Sequence, residues 1–257
     1  MQATIVALYG EKSGDLSALL ARIQDTVEQT LGSRFRRYDI GQIHATLLGL
    51  ERDEYRTASY LNRNFKVHRR VEVEMDFSGV MDYLRKVCST PFQVQIGGFQ
   101  DRDYPFTSRG ERPFNRCFSI QGGNAVVVGW PRYVHPSAGT RYPDILHGIR
   151  EGAQRHGALH SYHRRPNDKD NDFFFRIGVV NDPESVDTRA KDLVENAMRS
   201  MLASLPPLVV EIDLRKLSLA FYETAELPLA STIAYALTDE RLDDLFIRQG
   251  YRRRAEF

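Results

Sequence analysis

Strand-like segments outnumber the helices available to connect them, and this constrains the fold more than any other feature of the sequence. Parallel strands need a crossover connection, which is usually a helix. Several consecutive apolar, β-branched runs have no helical segment between them. The pattern therefore predicts an α+β fold with largely antiparallel sheets. The predicted strands are 3–9, 42–49, 70–77, 91–99, 117–121, 124–130, 173–180, 208–212, 216–222 and 232–237.

Helical spacing of apolar residues predicts the remaining elements. The predicted helices are 15–31, 53–64, 78–88, 143–157 and 187–205, followed by a charged helix that closes the chain. The segment 100–116 is rich in turn-forming residues and is expected to be a long surface loop. A second loop, near 131–142, is the expected boundary between two halves of the chain.

Charge and composition exclude several classes of protein. The 257 residues include 35 basic and 34 acidic side chains, so bulk charge does not favour coating nucleic acid or an anionic membrane. Apolar runs are all shorter than the ~20 residues that span a bilayer. The two cysteines exclude a four-cysteine zinc site. We expect a cytoplasmic protein with no membrane association and no obligate protein partner.

The segment 43–50, IHATLLGL, places a histidine and a threonine in an otherwise apolar strand. Alternate strand residues share a face, so His44 and Thr46 are predicted to project side by side. An imidazole moves protons near neutral pH, and a neighbouring hydroxyl can hold a phosphoryl oxygen. The structural alternative is a half-buried histidine next to an ordinary strand threonine.

His44-Ala45-Thr46 resembles the His-x-Thr signature of the 2H phosphoesterase superfamily, which includes cyclic phosphodiesterases and RNA 2′-5′ ligase-like enzymes. The order of strands and helices is similar over most of the chain. The resemblance implies one bilobal domain over 1–257, with lobes of roughly 1–130 and 131–257. It implies two mainly antiparallel sheets around a central cleft, with helices outside. It also implies one His-x-Thr or His-x-Ser motif in each lobe, one histidine acting as base and the other as acid.

The second motif departs from this pattern. FFFRIGVV at 173–180 puts Phe174 at the histidine position and Arg176 at the threonine position. A guanidinium can hold phosphate through two bonds, but it does not act as an acid. A second proton donor would then come from His160 or His163, and Phe174 would stack on a base. The structural alternatives are a surface role for Arg176 and the two histidines and ordinary packing for Phe174.

A metal site is the less favoured interpretation of the same region. His156, His160 and His163 precede three aspartates. If Asp168 is position 1 of a calcium loop, position 6 is Phe173 instead of the required glycine. No metal or cofactor is therefore predicted. Basic residues flank both motif strands and are candidates to line an anionic cleft: Arg34, Arg36, Arg37, Arg164 and Arg165.

The resemblance, together with these residues, therefore implies a metal-independent phosphodiesterase-like hydrolase. Its ligand would be a 2′,3′-cyclic phosphate or phosphodiester of an RNA end or oligonucleotide. In this hypothesis His44 and Thr46 are catalytic, and Arg176 and Phe174 bind substrate. The alternative is a catalytically impaired member of the same fold that binds nucleotide or RNA. A protein-interaction module is the third class, and it predicts neither binding nor turnover.

Overall fold

The computed structural model describes residues 1–53, 59–183 and 187–252. The described residues form eleven strands and six α-helices. The strands are β1 (Gln2–Ala7), β2 (Phe35–Arg37), β3 (Ala45–Gly49), β4 (Phe92–Ile96), β5 (Phe118–Gln121), β6 (Asn124–His135), β7 (Gly139–Arg141), β8 (Phe173–Val180), β9 (Leu208–Ile212), β10 (Leu217–Tyr222) and β11 (Ile233–Ala236). The helices are α1 (Gly14–Leu31), α2 (Phe77–Val87), α3 (Pro113–Arg116), α4 (Ile145–Ala153), α5 (Thr188–Ser204) and α6 (Asp244–Arg252).

The strands form one connected antiparallel sheet. Its order is β11-β10-β1-β3-β8-β6-β4-β9, with β2, β5 and β7 paired to its sides. The α+β class and the antiparallel pairing are therefore as predicted. The sheet differs from the expected two separate sheets, because β3 and β8 join its halves through a single pair, Ala45↔Phe175. Strands from both sides of residue 130 alternate in this order, and the predicted lobe boundary stays a prediction.

Alternation along the two central strands divides the sheet into two faces. Phe173, Phe175 and Ile177 of β8 are buried in the core, whereas Phe174 and Arg176 are half-buried on the opposite face. The core face packs against the helices, with α1 contacting α5 and α4 contacting β3. Removal of these apolar side chains from water is the main favourable term for this layer. The opposite face remains available for a site.

Three predicted segments differ from the structure. The helix predicted at 53–64 lies partly outside the described residues, and Leu61 and Asn62 form isolated bridges instead. The strand predicted at 70–77 is reduced to one bridge, Leu61↔Glu74. The loop expected near 131–142 is wrong, because β6 continues to His135 and pairs with β7 as a hairpin. The hairpin is largely exposed, including Tyr133 and Val134, so its strands lack the alternation of buried apolar residues that marks a strand in the sequence.

None of the described helices has both the length and the apolar character needed to cross a membrane.

Candidate functional site

A pocket of about 160 Å³ opens on the sheet face that carries Phe174 and Arg176. It is lined by side chains of the central strands β3 and β8 and by residues of the loops beside them. Five of the six predicted site residues line this pocket: His44, Thr46, His160, Phe174 and Arg176. His163 is not among its lining residues. The chain therefore brings the two sequence motifs together, although 130 residues separate His44 from Phe174.

His44 lies immediately before β3 with its imidazole half-buried. Its Nδ1 is 2.7 Å from the carbonyl oxygen of Gln42. A carbonyl only accepts, so Nδ1 carries the proton and Nε2 is left with a lone pair. Burial lowers the pKa of His44 to about 4, and the charges of Arg176 and Lys12 add to the effect, while the Gln42 carbonyl opposes it. His44 is therefore a neutral proton acceptor at pH 7.

Thr46 lies on the same face as His44. It pairs with Val6 of β1. Its backbone carbonyl accepts a bond from Arg150, so the peptide of this residue is fixed. Thr46 and His44 both line the pocket.

Phe174 and Arg176 stand opposite this pair across the seam between β3 and β8. Continuing the antiparallel register from Ala45↔Phe175 sets His44 against Arg176 and Thr46 against Phe174. Arg176 Nη1 donates a long bond, 3.4 Å, to the carbonyl of Ala225. A guanidinium has five N–H donors, so this contact leaves capacity for an anion.

Arg150 of α4 bridges β3 and the segment that precedes β8. Only 1% of Arg150 is exposed. Its guanidinium donates to the carbonyls of Thr46 and Leu47 on one side, at 3.0 Å each. On the other side it reaches the carbonyls of Asp170 and Asp172 and the Asp170 carboxylate, at 2.9–3.1 Å. All five donors are therefore used, and Arg150 takes the place of the strand-to-strand bonds that β3 and β8 lack here.

His160 and Asp170 form a buried pair on the pocket wall. His160 Nε2 is 3.5 Å from Asp170 Oδ2, and each residue is 3% exposed. Burial lowers the pKa of His160 well below its usual value and raises that of Asp170. The imidazole Nδ1 and Asp170 Oδ1 have no hydrogen-bond partner within the described chain. Both atoms are buried, and Asp170 Oδ1 is 3.9 Å from Arg109 Nη2.

His163 lies behind this pair. Its ring centroid is 6.3 Å from that of His160 and 5.2 Å from that of His147. Burial, with the charge of Arg150, lowers its pKa to about 4. A neutral imidazole outside the pocket has no direct access to a ligand there, so the geometry favours His160 over His163 as the group that meets one.

Sequence reasoning missed several pocket residues. Glu51 lines the pocket and accepts a bond from the Tyr222 hydroxyl at 3.0 Å, and burial raises its pKa. Arg109, from the predicted surface loop, also lines it. Neither belongs to a spaced motif, because the contacts that bring them to the pocket come from distant segments. A lone acidic residue at the end of a strand was the only signal for Glu51.

The arginines that flank the motif strands differ in their contacts. Arg36 pairs with Glu226 at 3.1 Å, and Arg37 pairs with Asp25 at 2.7 Å and with Glu28. Their charges are therefore engaged at the surface. Arg164 lines a second groove beside the pocket.

Within the described chain, no group of three or more histidine, cysteine, aspartate or glutamate side chains is arranged to hold a metal ion. The aspartates after His163 have separate structural roles. Asp172 accepts bonds from Ser108 at 2.7 and 2.9 Å and from Trp130 at 2.8 Å, and Asp170 accepts from Arg150 at 2.9 Å.

Comparison with known proteins gives a weak structural neighbour. The chain resembles the crystal structure of TT0787 of Thermus thermophilus, with 12% sequence identity and a TM-score of 0.41. The match covers 92% of this chain and 95% of that one. No family model matches, and no curated protein matches. A TM-score this low carries no argument about function, so the function rests on the site.

Proposed function

We propose that this chain has a bilobal 2H-phosphoesterase-like fold and that its pocket handles the phosphate of a nucleotide or RNA end. The observation that supports this most is the meeting of His44, Thr46 and Arg176 in one pocket on the seam of the sheet. A proton acceptor, a hydroxyl and a guanidinium supply the contacts that a phosphodiester group needs.

The proposed reaction is hydrolysis of a 2′,3′-cyclic phosphate or a phosphodiester. Nε2 of His44 takes a proton from water, the water oxygen bonds to phosphorus, and the bond to one ribose oxygen breaks. Thr46 and Arg176 stabilise the negative charge on the non-bridging oxygens. Phe174 stacks on the base. The reaction as proposed uses protein side chains alone.

The leaving oxygen needs a proton, and this step separates two versions of the proposal. His160 is in the pocket, but its pKa is lowered, so it is neutral and a weak acid. Asp170 and Glu51 have raised pKa values and are alternative donors. The lack of a strong proton donor for the leaving oxygen favours the second candidate, a receptor that binds a nucleotide phosphate with little turnover.

Turnover of defined substrates tests the enzyme version. We would incubate the chain, with chelator, with 2′,3′-cyclic nucleotides, cyclic-phosphate RNA ends and 2′-5′ and 3′-5′ linked dinucleotides. Loss of the proton acceptor in His44→Ala is expected to lower the rate by about 10²–10⁴-fold. His135→Ala, on the β6–β7 hairpin and outside the pocket, is the matched control. Absence of turnover with retained binding of the nucleotides supports the receptor, and absence of both refutes the proposal.

A further inference from the structure

We propose that Arg109 and Tyr162 bind the nucleotide next to the one whose phosphate meets His44. This inference rests on the proposed function and deepens it by locating a second nucleotide subsite. It comes from a groove that adjoins the pocket.

The groove has a volume of about 510 Å³ and shares a wall with the pocket. Arg109, Tyr162 and Asp170 line both cavities. Beyond that wall the groove is lined by Arg164, Asn167 and Lys169, among others. A ligand that fills the pocket can therefore continue past this wall, and the groove has room for a further nucleotide.

Aromatic faces stand on the wall between the two cavities. The guanidinium carbon of Arg109 is 4.2 Å from the ring centroid of Tyr162, a cation–π contact. The Tyr162 ring is in turn 6.2 Å from the ring of Phe174, with a tilt of 46°. The guanidinium covers one face of Tyr162, so a nucleobase would stack on its other face or on the guanidinium plane, at about 1–3 kcal/mol per base whatever the sequence.

Arg109 forms two long ion pairs with aspartates, and its guanidinium N–H groups can still donate to a phosphate. Its guanidinium nitrogens are 3.8 Å from Asp172 Oδ2 and 3.9 Å from Asp170 Oδ1. These distances exceed hydrogen-bond length. The side chain is 32% exposed. A phosphodiester between two nucleotides can accept from it without displacing an existing hydrogen bond to either aspartate.

The backbone of Arg109 is held in a conformation that this residue type disfavours. Arg109 has φ 51° and Gly110 has φ 81°. Ser108 and Glu111 exchange backbone bonds of 2.9 Å around them, so the pair forms a tight turn with both central residues left-handed. Asparagine or glycine normally fills the first of these positions. Strain of this kind persists only where the surroundings fix it, and it concentrates at functional sites.

A buried network fixes this turn. Ser108 Oγ is 2.7 and 2.9 Å from the two oxygens of Asp172. Asp172 also accepts from the indole of Trp130 at 2.8 Å and from Arg116 at 3.3 Å. The turn is therefore anchored to the residue that precedes β8, and Arg109 is placed on the shared wall by the same segment that carries Phe174.

The charge of the groove suits a short single strand. Three cationic residues, Arg109, Arg164 and Lys169, line it with two carboxylates, Asp168 and Asp170. Lys169 pairs with Asp144 at 3.2 Å, and Asp170 is bound to Arg150. One or two phosphate contacts are the expected number, so binding should depend only weakly on salt.

Binding as a function of ligand length tests the proposal. The probes are uridine 3′-monophosphate and oligouridylates of two, three and four nucleotides with a 3′-phosphate, measured by calorimetry. One added stacked base is expected to raise affinity by roughly 5–150-fold between one and two nucleotides. The gain should end by about the third nucleotide, where the groove is filled.

Two variants locate the gain. Tyr162→Ala removes the stacking face, and Arg109→Gly removes the charge while accepting the left-handed backbone. Each is expected to bring the dinucleotide-to-mononucleotide affinity ratio close to one. Arg141→Ala, an exposed residue of β7 outside both cavities, should leave the ratio as in the wild type.

Three results would overturn the inference. A wild-type ratio near one, with the mononucleotide still bound, refutes it alone and leaves the proposed function standing. If inorganic tripolyphosphate gains as much affinity over inorganic phosphate as the dinucleotide gains over the mononucleotide, charge without a base is enough. That result would refute the stacked nucleotide. No binding of the mononucleotide refutes the proposed function and the inference together.

Discussion

His44 carries the proposed chemistry, and it can accept a proton only because its imidazole is neutral. Its Nδ1 is committed to the Gln42 carbonyl at 2.7 Å, and its pKa is lowered mainly by burial. A neutral imidazole is ready to accept a proton. An anion bound beside it would favour the charged form and raise its pKa.

Titration of His44 by NMR is the first prediction at this scale. In the free protein its imidazole should titrate with a pKa of about 4. Addition of a nucleotide 3′-phosphate should move the midpoint upward, because the phosphate charge stabilises the imidazolium. Assignment uses the signal lost in His44→Gln. A free-protein midpoint near the ordinary value of about 6.5 would contradict the account.

Glu51 gives a second prediction at the residue scale. Burial raises its pKa, so the folded state holds a proton that the unfolded state has lost. The stability that comes from this proton is present at low pH and is lost as pH rises through the raised pKa. Glu51→Gln keeps the shape and an oxygen that accepts from Tyr222, but it cannot ionise.

The stability difference between Glu51→Gln and wild type should therefore move in favour of the variant as the pH rises from about 4.5 to about 8. Urea unfolding at several pH values measures it. Glu223→Gln, which changes an exposed carboxyl, is the control. A difference that stays constant across this range would show that Glu51 is not held protonated by the fold.

At the scale of elements, β8 was predicted well and its surroundings were not. The alternation of FFFRIGVV alone placed Phe174 and Arg176 on one face, as observed. The strand period is a local property, so the sequence contains it. Arg109 was missed, because its position depends on Ser108 and Asp172, which are 64 residues apart. No spacing rule along the chain contains such a contact.

Arg150 links the two central elements, and its loss is the prediction at this scale. Arg150→Met would leave four backbone carbonyls and the Asp170 carboxylate without their donor. Removing one partner of a buried ion pair typically destabilises by about 3–5 kcal/mol. Chemical denaturation should show a loss of this size. Arg141→Met, on an exposed strand, should change stability by less than about 0.5 kcal/mol. Equal small effects would contradict the role of Arg150.

At the scale of the whole molecule, the antiparallel α+β class followed from the sequence, but the strand order did not. The missing crossover helices excluded a parallel sheet. The meeting of β3 with β8 through one pair depends on tertiary packing around Arg150, which no periodicity records. The pairing of Phe174 and Arg176 with His44 and Thr46 in one pocket is a consequence of that junction.

The junction also makes the molecule sensitive to acid. His163 is buried behind the pocket with a pKa lowered to about 4. Between about pH 6.5 and pH 4 the His163 imidazole is protonated in the unfolded chain but not in the folded state. This residue therefore lowers the stability of the fold as pH falls. The slope is up to about 1.4 kcal/mol per pH unit. In His163→Gln the slope should be smaller by this contribution, and unfolding of both proteins across this range measures it. Parallel pH curves would contradict the burial of a neutral imidazole.

The most direct test of the central claim is a crystal structure with a bound nucleotide 3′-phosphate. The account predicts that the phosphate lies on the seam between β3 and β8, within hydrogen-bond distance of His44 Nε2, the Thr46 hydroxyl and the Arg176 guanidinium. Its base should lie against Phe174. A phosphate bound elsewhere, with these three side chains untouched, would contradict the proposed site.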